Sequence, residues 1–423
     1  MHIAQFTNTY HPMITGVVRS ISDFRKALSE LGHNVFIFAQ NASKYQDKAP
    51  FVFRYPTIQV QLPGDFPAML PVSPFVDWVL PSLKLDVIHT HHPVLLGQTA
   101  ASKAKELKVP LVYTFHTQYQ EYSHYFPIQQ HDVQKWVKGA IQDWLAEYMQ
   151  LCHHIIVPSK SIYQALEKQF GIEHGVTVLP TGIDLAPYEN ADGDAIRAKH
   201  GWENDKILIS VGRLEPEKNW KTLIHACAIA MRNHSDLRVV LIGGGGQKSE
   251  LEKQAKTLGI ADRVSFMGKI PFTDVPAYLK AADIFGFASL TETQGLVTME
   301  AMAAGLPIAA VDAPGTRDEL EHDRHGLLTP NAPEKLGEAI DLLLSEPARS
   351  EQYRLAAREK AQFFDINHQA QKLVELYEVA REDHQAGRRV EMEYKGLVER
   401  WTDKVTSQIK LPERPLVWPP KFD

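Results

Sequence analysis

Cysteine is scarce in this sequence: Cys152 and Cys227 are the only two among 423 residues. Two cysteines cannot build a disulfide framework, so a reducing compartment such as the cytoplasm is the expected location. The amino-terminal segment MHIAQFTNTYHP has neither the basic stretch nor the apolar stretch of a secretory signal. No window approaches 18 uninterrupted apolar residues, which argues against a transmembrane helix but leaves peripheral contact with the inner face of a membrane open.

Long basic runs are also missing. The formal net charge is -6, which argues against a general nucleic-acid-binding protein. No internal repeat or low-complexity segment is evident. With 44% hydrophobic residues the composition is that of a globular protein, and 423 residues are long for a single core. We therefore expect two domains.

The amino-terminal region has the pattern of a parallel sheet. His2–Phe6 is predicted to be a strand, Val18–Leu31 an amphipathic helix closed by a glycine, and Asn34–Ala39 a second strand. Strand, helix and strand at these lengths imply a right-handed crossover. The loop after the first strand places Gly16 and Val17 at the start of the first helix.

Two carboxylates stand out in the stretch SLTETQGLVTMEAMAAG. Ala282–Ser289 is predicted to be a buried strand, so Glu292 follows at its carboxyl end, where open α/β sheets bind ligands. Glu300 lies about one turn into the helix that ends at Gly305. Carboxylates so placed can accept hydrogen bonds from sugar and ribose hydroxyls, and the backbone N–H groups of residues 293–297 can bind a phosphate. A surface acid and an unrelated helix acid are the ordinary alternative.

Two cations follow an apolar strand in the second half. Arg213 and Lys218 in VGRLEPEKNW can converge at the carboxyl end of that strand, although solvated surface charges are the simpler alternative. The glycines at 243–246 are predicted to form a tight turn. They do not form an ATP-binding P-loop, because Gln247 stands where such a loop needs glycine before the lysine.

The sequence does not predict a metal site. His89, His91, His92 and His116 follow two predicted strands, but their spacing matches no zinc template, and no cysteine or carboxylate set completes one. The Asp-Gly-Asp triplet at 192–194 matches the metal motif of a different transferase fold, yet it lies in a polar linker.

Several of these motifs together resemble one enzyme family. SLTETQGLVTMEAMAAGLPIAA resembles the Glu-x7-Glu signature of retaining nucleotide-sugar glycosyltransferases with the GT-B fold, the group 1 family or glycosyltransferase family 4. Arg213 and Lys218 match its Gly-Arg-x4-Lys pattern. The phrases HTHHP and YTFHTQYQEYSHY look like those of its glycolipid-forming branch, which includes bacterial diacylglycerol glucosyltransferases. The resemblance covers roughly Met1–Arg381.

The resemblance implies an α/β architecture of the GT-B type, with two doubly wound Rossmann-like domains facing a cleft. The expected parts are an acceptor-side domain, a linker, a nucleotide-sugar-binding domain, a helix crossing back to the first domain and a tail, at residues 1–182, 183–205, 206–365, 366–385 and 386–423.

In that family the reaction moves a hexose, here with UDP-glucose as the favoured donor, with retention at the anomeric carbon. The resemblance assigns catalytic roles to His116, Arg213, Lys218 and Glu292, with Glu292 and His116 toward the transferred sugar and the two cations toward the diphosphate. Glu300 would hold the ribose. The donor-binding set is Gly16, Val17, Gly212, Arg213, Lys218, Gly268, Ile270, Glu292, Thr293, Gln294, Gly295, Leu296, Val297 and Glu300. The acceptor-binding set is His91, His116 and Tyr119. No metal or other cofactor is expected.

The acceptor is the least constrained partner. The histidine phrases favour a diacylglycerol-type lipid, whereas the predicted helix Gln129–Leu151 lacks the strong positive charge of membrane-docking relatives, so a soluble sugar, sugar phosphate or polyol stays open. The Pro-rich apolar segment Thr57–Leu85 could form an acceptor pocket or contact lipid, or simply be an irregular section of core. The tail, predicted to be helical from the spacing of its apolar residues, could pack on the body, form an oligomer contact or anchor to a membrane. An epimerase and a non-catalytic sensor are weaker alternatives. The sequence does not indicate an oligomeric state.

Overall fold

The computed structural model describes residues 1–13, 15–42, 45–61, 67–69, 73–116 and 131–394. Tyr119, the Pro-rich positions between these ranges and most of the tail lie outside them. Within this part of the chain, the first half contains these strands: β1 (His2–Thr7), β2 (Asn34–Gln40), β3 (Val52–Tyr55), β4 (Thr57–Gln61), β5 (Pro67–Met69), β6 (Val87–Thr90), β7 (Leu111–Thr114), β8 (His154–Val157), β9 (Ile172–His174) and β10 (Val176–Val178).

The helices of this half separate the strands. They are α1 (Gly16–Glu30), α2 (Pro74–Val79), a 3-10 helix (Leu80–Leu83), α3 (Leu96–Leu107), α4 (His131–Met149) and α5 (Lys160–Phe170). Among the described residues the main sheet has the order β10-β8-β7-β6-β1-β2-β3, and its pairings are parallel. Strands β4 and β5 pair separately and antiparallel. The main sheet is covered on both faces, which explains why strands such as IIV in β8 and VIHT in β6 are buried throughout.

The second half forms another parallel sheet. Its elements in chain order are α6 (Ala186–Glu189), α7 (Gly193–His200), β11 (Lys206–Val211), a 3-10 helix (Pro216–Lys218), α8 (Trp220–Ala230), β12 (Leu237–Ile242), α9 (Lys248–Thr257), a 3-10 helix (Ala261–Arg263), β13 (Val264–Gly268), a 3-10 helix (Phe272–Asp274), α10 (Val275–Lys280), β14 (Ile284–Phe287), α11 (Leu296–Ala303), β15 (Ile308–Val311), α12 (Thr316–Glu319), β16 (Gly326–Thr329), α13 (Pro333–Ser345), α14 (Pro347–Gln362), α15 (Ile366–Gln385) and β17 (Glu391–Met392). The strand order is β13-β12-β11-β14-β15-β16, with parallel pairings.

The predicted elements around the site are confirmed within a residue or two. The strand expected at Asn34–Ala39 runs to Gln40, and the helix expected at Val18–Leu31 begins two residues earlier, at Gly16. Thr15 caps that helix, because its hydroxyl accepts a hydrogen bond from the Val18 backbone N–H. The cap places the first turn of α1 directly after the β1 loop.

Helix α15 returns to the first domain. Its buried residues Ile366, Leu373 and Tyr377 pack in the same core as Phe24 of α1 and Val87 of β6. Where the chain crosses, the backbone N–H of Ile183 donates to the Phe364 carbonyl at 2.8 Å, and that of Ile366 donates to the Ile183 carbonyl at 3.0 Å. The outgoing and returning segments therefore lie side by side.

The described beginning of the tail is extended, whereas the spacing of its apolar residues had predicted a helix. Strand β17 pairs antiparallel with β9, and the backbone N–H of Val390 donates to the Cys152 carbonyl at 2.9 Å. Val390 is buried in the core of the first domain. No helix in the described ranges is long and apolar enough to cross a membrane.

Candidate active site

The strand-end loops of the two sheets meet at a cleft. The Thr293 hydroxyl, after β14, donates to the His116 carbonyl, after β7, at 3.1 Å. Gln294 crosses the same boundary twice: its side-chain oxygen accepts from the Thr181 backbone N–H at 2.9 Å, and its amide nitrogen donates to the Thr181 carbonyl at 3.3 Å. The loop that carries Glu292 is thus fixed directly to the first domain.

Lys218 and Glu292 form an ion pair in this cleft. Lys218 ends a 3-10 helix after β11, and Glu292 follows β14, the neighbouring strand in the sheet. Burial raises the pKa of Glu292, but the charge and hydrogen bond of Lys218, a hydrogen bond from Ser289 and the charge of Arg213 outweigh it, so the net pKa lies below its usual range. Glu292 is therefore an ionised carboxylate at neutral pH.

Arg213 lies nearby and is more open to solvent. Its guanidinium pairs with Glu217 at 2.7 Å, and 56% of its side chain is exposed. The Arg213 carbonyl accepts a hydrogen bond from the Trp220 indole at 2.7 Å, and a Cβ on Gly212 would lie 3.3 Å from that indole. The backbone of the Gly-Arg pair is fixed, while the Arg213 head group can still reach a ligand.

The loop before α11 depends on glycine. Gly295 has φ 73°, a left-handed conformation in which a Cβ would approach the Thr298 hydroxyl at 2.7 Å. Facing it across the cleft, a Cβ on Gly16 would lie 3.2 Å from the Leu296 side chain. Helices α1 and α11 therefore start close together, and Val17, Leu296 and Val297 are partly buried in their first turns.

Glu300 has a partner that the sequence did not suggest. It is 1% exposed on α11 and forms an ion pair with Arg19 of α1. The Arg19 guanidinium also donates to Asp23 at 3.3 Å and to the Tyr188 hydroxyl at 3.2 Å, and its carbon lies 4.0 Å from the centre of the Phe272 ring. No local signal marks Arg19, which is one polar residue on an amphipathic helix; only the opposing domain gives it this role.

The predicted sugar-facing histidine has a second histidine behind it. A ring nitrogen of His116, Nε2, lies 2.9 Å from Nδ1 of His91. Burial lowers the pKa of His116 to about 3 and holds that of His91 well below its usual range. His91 is 3% exposed. It is thus placed to orient His116, whereas its predicted direct contact with the acceptor remains a prediction.

His89 and His92 complete this neutral cluster. His89 bonds to the Tyr377 hydroxyl at 2.8 Å and to the Thr114 hydroxyl at 2.6 Å, and burial lowers its pKa to about 3. Burial likewise lowers the pKa of His92 to about 4. His89 and His91 also line a cavity of about 10 Å³ in the first domain, room for about one water molecule.

Gly268 and Ile270 lie beside the glycine-rich turn. Gly268 ends β13 with φ 70°, and its carbonyl accepts a hydrogen bond from the Gly243 N–H at 2.9 Å. The Lys269 side chain covers the turn, since a Cβ on Gly244 would lie 3.1 Å from its Cε. Ile270 packs partly buried against the core of this domain.

The described residues contain no group of three or more histidine, cysteine or acidic side chains arranged to hold a metal ion. Asp192, from the Asp-Gly-Asp triplet, caps helix α7 instead: its carboxylate accepts from the Ala195 N–H at 3.0 Å.

Comparison with known proteins agrees with this geometry. Residues 14–187 match the sequence family Glycosyltransferase Family 4, and residues 192–360 match Glycosyl transferases group 1. An alpha-monoglucosyldiacylglycerol synthase of Streptococcus pneumoniae is 31% identical over 371 residues, which cover 83% of this chain and 80% of that protein. The protein of that name from Acholeplasma laidlawii is 33% identical over 323 residues, covering 73% and 79%.

Solved structures share the fold. Anabaena HepE in complex with UDP and glucose matches with a TM-score of 0.70 at 22% identity, over 89% of this chain and 98% of that chain. Sucrose-phosphate synthase from Thermosynechococcus elongatus matches with a TM-score of 0.71 at 20% identity, over 89% and 98%. With two facing parallel-sheet domains, matches to both family halves and relatives above 30% identity over most of their length, the chain belongs to the group 1 glycosyltransferases of family 4, nucleotide-sugar hexosyltransferases with the GT-B fold.

Proposed function

We propose that this enzyme transfers glucose from UDP-glucose, with retention at the anomeric carbon, to a hydroxyl of a diacylglycerol-type lipid. The observation that carries the proposal is the ion pair between Lys218 and Glu292. Glu292 lies in the loop that the Thr293 hydroxyl fixes against the His116 carbonyl. The names of the two relatives above 30% identity support the lipid acceptor and the glucosyl group. We also propose that the protein acts on the inner, cytoplasmic face of a membrane, since its acceptor would reside there.

The cations have the chemistry that a leaving diphosphate requires. Cleavage of the bond between the anomeric carbon and the phosphate oxygen develops negative charge on that oxygen, and fixed positive groups stabilise the charge as it forms. Lys218 and Arg213 supply them, together with the backbone N–H groups of residues 293–297. Because these groups neutralise the diphosphate, the proposal includes no metal or other cofactor.

The transfer itself follows a same-face route. The acceptor oxygen bonds to the anomeric carbon on the face that the phosphate leaves, and the departing phosphate takes the proton of the acceptor hydroxyl. Glu292, kept ionised by Lys218, accepts hydrogen bonds from hydroxyls of the sugar. When a phosphate binds Lys218, the ion pair with Glu292 loosens, and the Glu292 carboxylate can accept these hydrogen bonds from the sugar.

Two further contacts position the substrates. Glu300 accepts hydrogen bonds from the ribose hydroxyls, in competition with its pairing to Arg19. Neutral His116, oriented by His91, bonds to a hydroxyl of the transferred sugar. Lys269 and Ile270, which follow Gly268 beside the glycine-rich turn, flank the nucleobase. Gly16 and Val17 approach the diphosphate from the first domain.

The test is release of UDP from UDP-glucose by the purified protein. Parallel reactions contain diacylglycerol in detergent micelles, a panel of soluble sugars, sugar phosphates and polyols, or no acceptor, and GDP- and ADP-sugars replace the donor in turn. We expect stimulation by diacylglycerol with UDP-glucose, and an α-glucosidic product by nuclear magnetic resonance. Stimulation only by a soluble acceptor would overturn the lipid assignment, and a β-linked product would overturn retention.

A further inference from the structure

The loop between β6 and α3 holds a leucine in an unfavourable backbone conformation. Leu95 has φ 55° and ψ -106°, a region that costs energy for any residue with a Cβ. Leu95 is 43% exposed as a residue, and Val94 is 38% exposed. A strained backbone that directs two adjacent apolar side chains into water has no stabilising effect in the protein alone, and strain of this kind is typical of functional sites.

Surrounding groups hold this conformation in place. The Asn8 side chain, from the β1 loop, donates to the Val94 carbonyl and accepts from the Leu96 N–H, both at 3.1 Å. The chain passes so close to itself that a Cβ on Gly97 would lie 1.8 Å from the His92 carbonyl oxygen. The backbone conformation that exposes Val94 and Leu95 is therefore held by specific contacts.

The same loop begins at the proposed sugar site. His91, which contacts His116, lies four residues before Leu95, so their Cα atoms are at most about 14 Å apart. His92 lies between them, and its ring nitrogen Nδ1 accepts from the Asn8 backbone N–H at 3.2 Å. Asn8 thus connects the histidine end of the loop to its apolar end.

The carbonyls of this loop are already bonded, and the loop carries no cation. That of His92 bonds to the Thr90 hydroxyl at 2.9 Å, that of Pro93 to the Gln98 amide at 3.0 Å, and that of Leu95 to the Thr99 N–H at 3.1 Å. The segment HPVLLG carries no charged group apart from a histidine whose pKa is about 4. A sugar phosphate would be favoured by a cation, which this segment lacks, whereas an uncharged lipid needs only apolar contact.

We propose that Val94 and Leu95 contact the acyl-glycerol part of the acceptor while its hydroxyl lies beside His116. This inference rests on the proposed lipid acceptor and adds the residues that select it. Apolar contact removes both side chains from water, and the fixed loop does so without first having to be ordered.

The experiment compares the wild type with Val94→Ser/Leu95→Ser, and with Leu31→Ser as a matched control. Leu31 is 39% exposed and lies between α1 and β2, at the amino-terminal ends of the parallel strands, whereas Val94 and Leu95 follow the carboxyl end of β6. The measurements are KM and kcat for diacylglycerol in detergent micelles, the Kd for UDP by calorimetry, and Tm. We expect the double variant to raise KM for diacylglycerol about tenfold or more, with the UDP Kd unchanged, and the control to behave like the wild type.

Leu95→Gly separates apolar contact from strain, because glycine removes the side chain and tolerates the positive φ. We expect it to raise KM for diacylglycerol while raising Tm. An unchanged KM in both loop variants of an enzyme that uses diacylglycerol would overturn this inference alone, as would a weakened UDP Kd. A wild type that glycosylates only soluble acceptors would overturn the proposed acceptor and this inference with it.

Discussion

Arg19 on α1 and Glu300 on α11 form an ion pair that joins the two domains across the cleft. Both side chains are largely buried, and Arg19 reaches three further groups, Asp23, Tyr188 and Phe272. The carboxylate proposed to hold the ribose is therefore occupied by a cation of the opposite domain when no donor is bound. A bound donor therefore has to displace Arg19 from Glu300, or the carboxylate has to bind Arg19 and the ribose together.

Removing both partners of this pair should cost less than the sum of the losses from removing each alone. Arg19→Ala leaves the buried Glu300 carboxylate unpaired, which typically costs about 3–5 kcal/mol. We expect a clear fall in Tm for Arg19→Ala, and a fall for Arg19→Ala/Glu300→Gln smaller than the sum of the two single effects. Thermal melts of the four proteins without nucleotide measure this coupling. Strictly additive losses would mean that the two side chains do not interact in solution.

Glu300→Gln should weaken the donor site selectively. The neutral amide is a poorer acceptor of hydrogen bonds from ribose hydroxyls than the carboxylate, so we expect KM for UDP-glucose to rise about tenfold, a loss of about 1.4 kcal/mol, with kcat changed much less. Steady-state kinetics with saturating acceptor give both values.

The matched control is Glu319→Gln in the same domain. Burial raises the pKa of Glu319 well above its usual range, so its protonated form resembles glutamine. We expect its KM for UDP-glucose to equal that of the wild type. An equal rise in both variants would indicate a general effect of removing buried acids.

Lys218→Ala should reduce turnover more than donor affinity. The ammonium stabilises charge that develops only as the diphosphate leaves, so we expect kcat to fall about 100- to 1,000-fold. Its loss should also raise the pKa of Glu292, since Lys218 is the principal group that lowers it. Single-turnover kinetics, which separate chemistry from product release, are the measurement. An unchanged rate would remove Lys218 from the proposed mechanism, while Lys221→Ala, on an exposed helix face nearby, serves as the control.

The buried histidines predict sensitivity to acid. His89, His92 and His116 have native pKa values of about 3 to 4, below the 6.5 of the unfolded chain. Between these values the unfolded chain binds protons that the native protein does not. The contribution of these histidines to the free energy of unfolding is therefore fully present above about pH 6.5 and is lost as the pH falls. We expect Tm to decrease from pH 6.5 to pH 5, a window above the titration of most carboxylates.

His89→Asn should flatten this pH dependence. The substitution removes one histidine that stays unprotonated in the native protein, and the asparagine amide keeps polar atoms near the Tyr377 and Thr114 hydroxyls. The measurement is the slope of Tm between pH 6.5 and pH 5 in the variant and the wild type. A slope that does not decrease would mean that His89 is already charged in the native protein.

Much of the architecture follows from local patterns. Short apolar runs such as those in β8 and β14 alternate with helical segments, and this alternation implies parallel sheets whose carboxyl ends carry the ligand-binding loops. Glu292 and Lys218 could therefore each be assigned to a loop at the carboxyl end of a strand, while the adjacency of those strands could not. The direct pairing of the two side chains, across 74 positions of sequence, depends on side-chain packing that no local pattern encodes.

Contacts between residues far apart in the sequence were the part that the sequence could not predict. Arg19 is an ordinary polar residue until the second domain places Glu300 beside it, and His91 is one of several histidines until the fold puts it behind His116. The prediction of a helix was wrong at the described start of the tail, to residue 394, for a different reason. Val390 and Tyr394 are four residues apart, a spacing that both a helix and a strand can produce, and pairing with β9 decided between them.

The double crossing near Gly182 and Ile366 has a consequence for protein engineering. A Cβ on Gly182 would lie 2.6 Å from the Ile366 Cα, so the two crossover strands are in direct contact. An exchange of acceptor halves between related enzymes cannot be made with one junction, because α15 packs with the first half although it follows the second half in the sequence. A chimera joined only near residue 182 would combine a foreign amino-terminal half with a mismatched α15. Transplanting both segments together, with junctions near residues 182 and 365, keeps that packing intact.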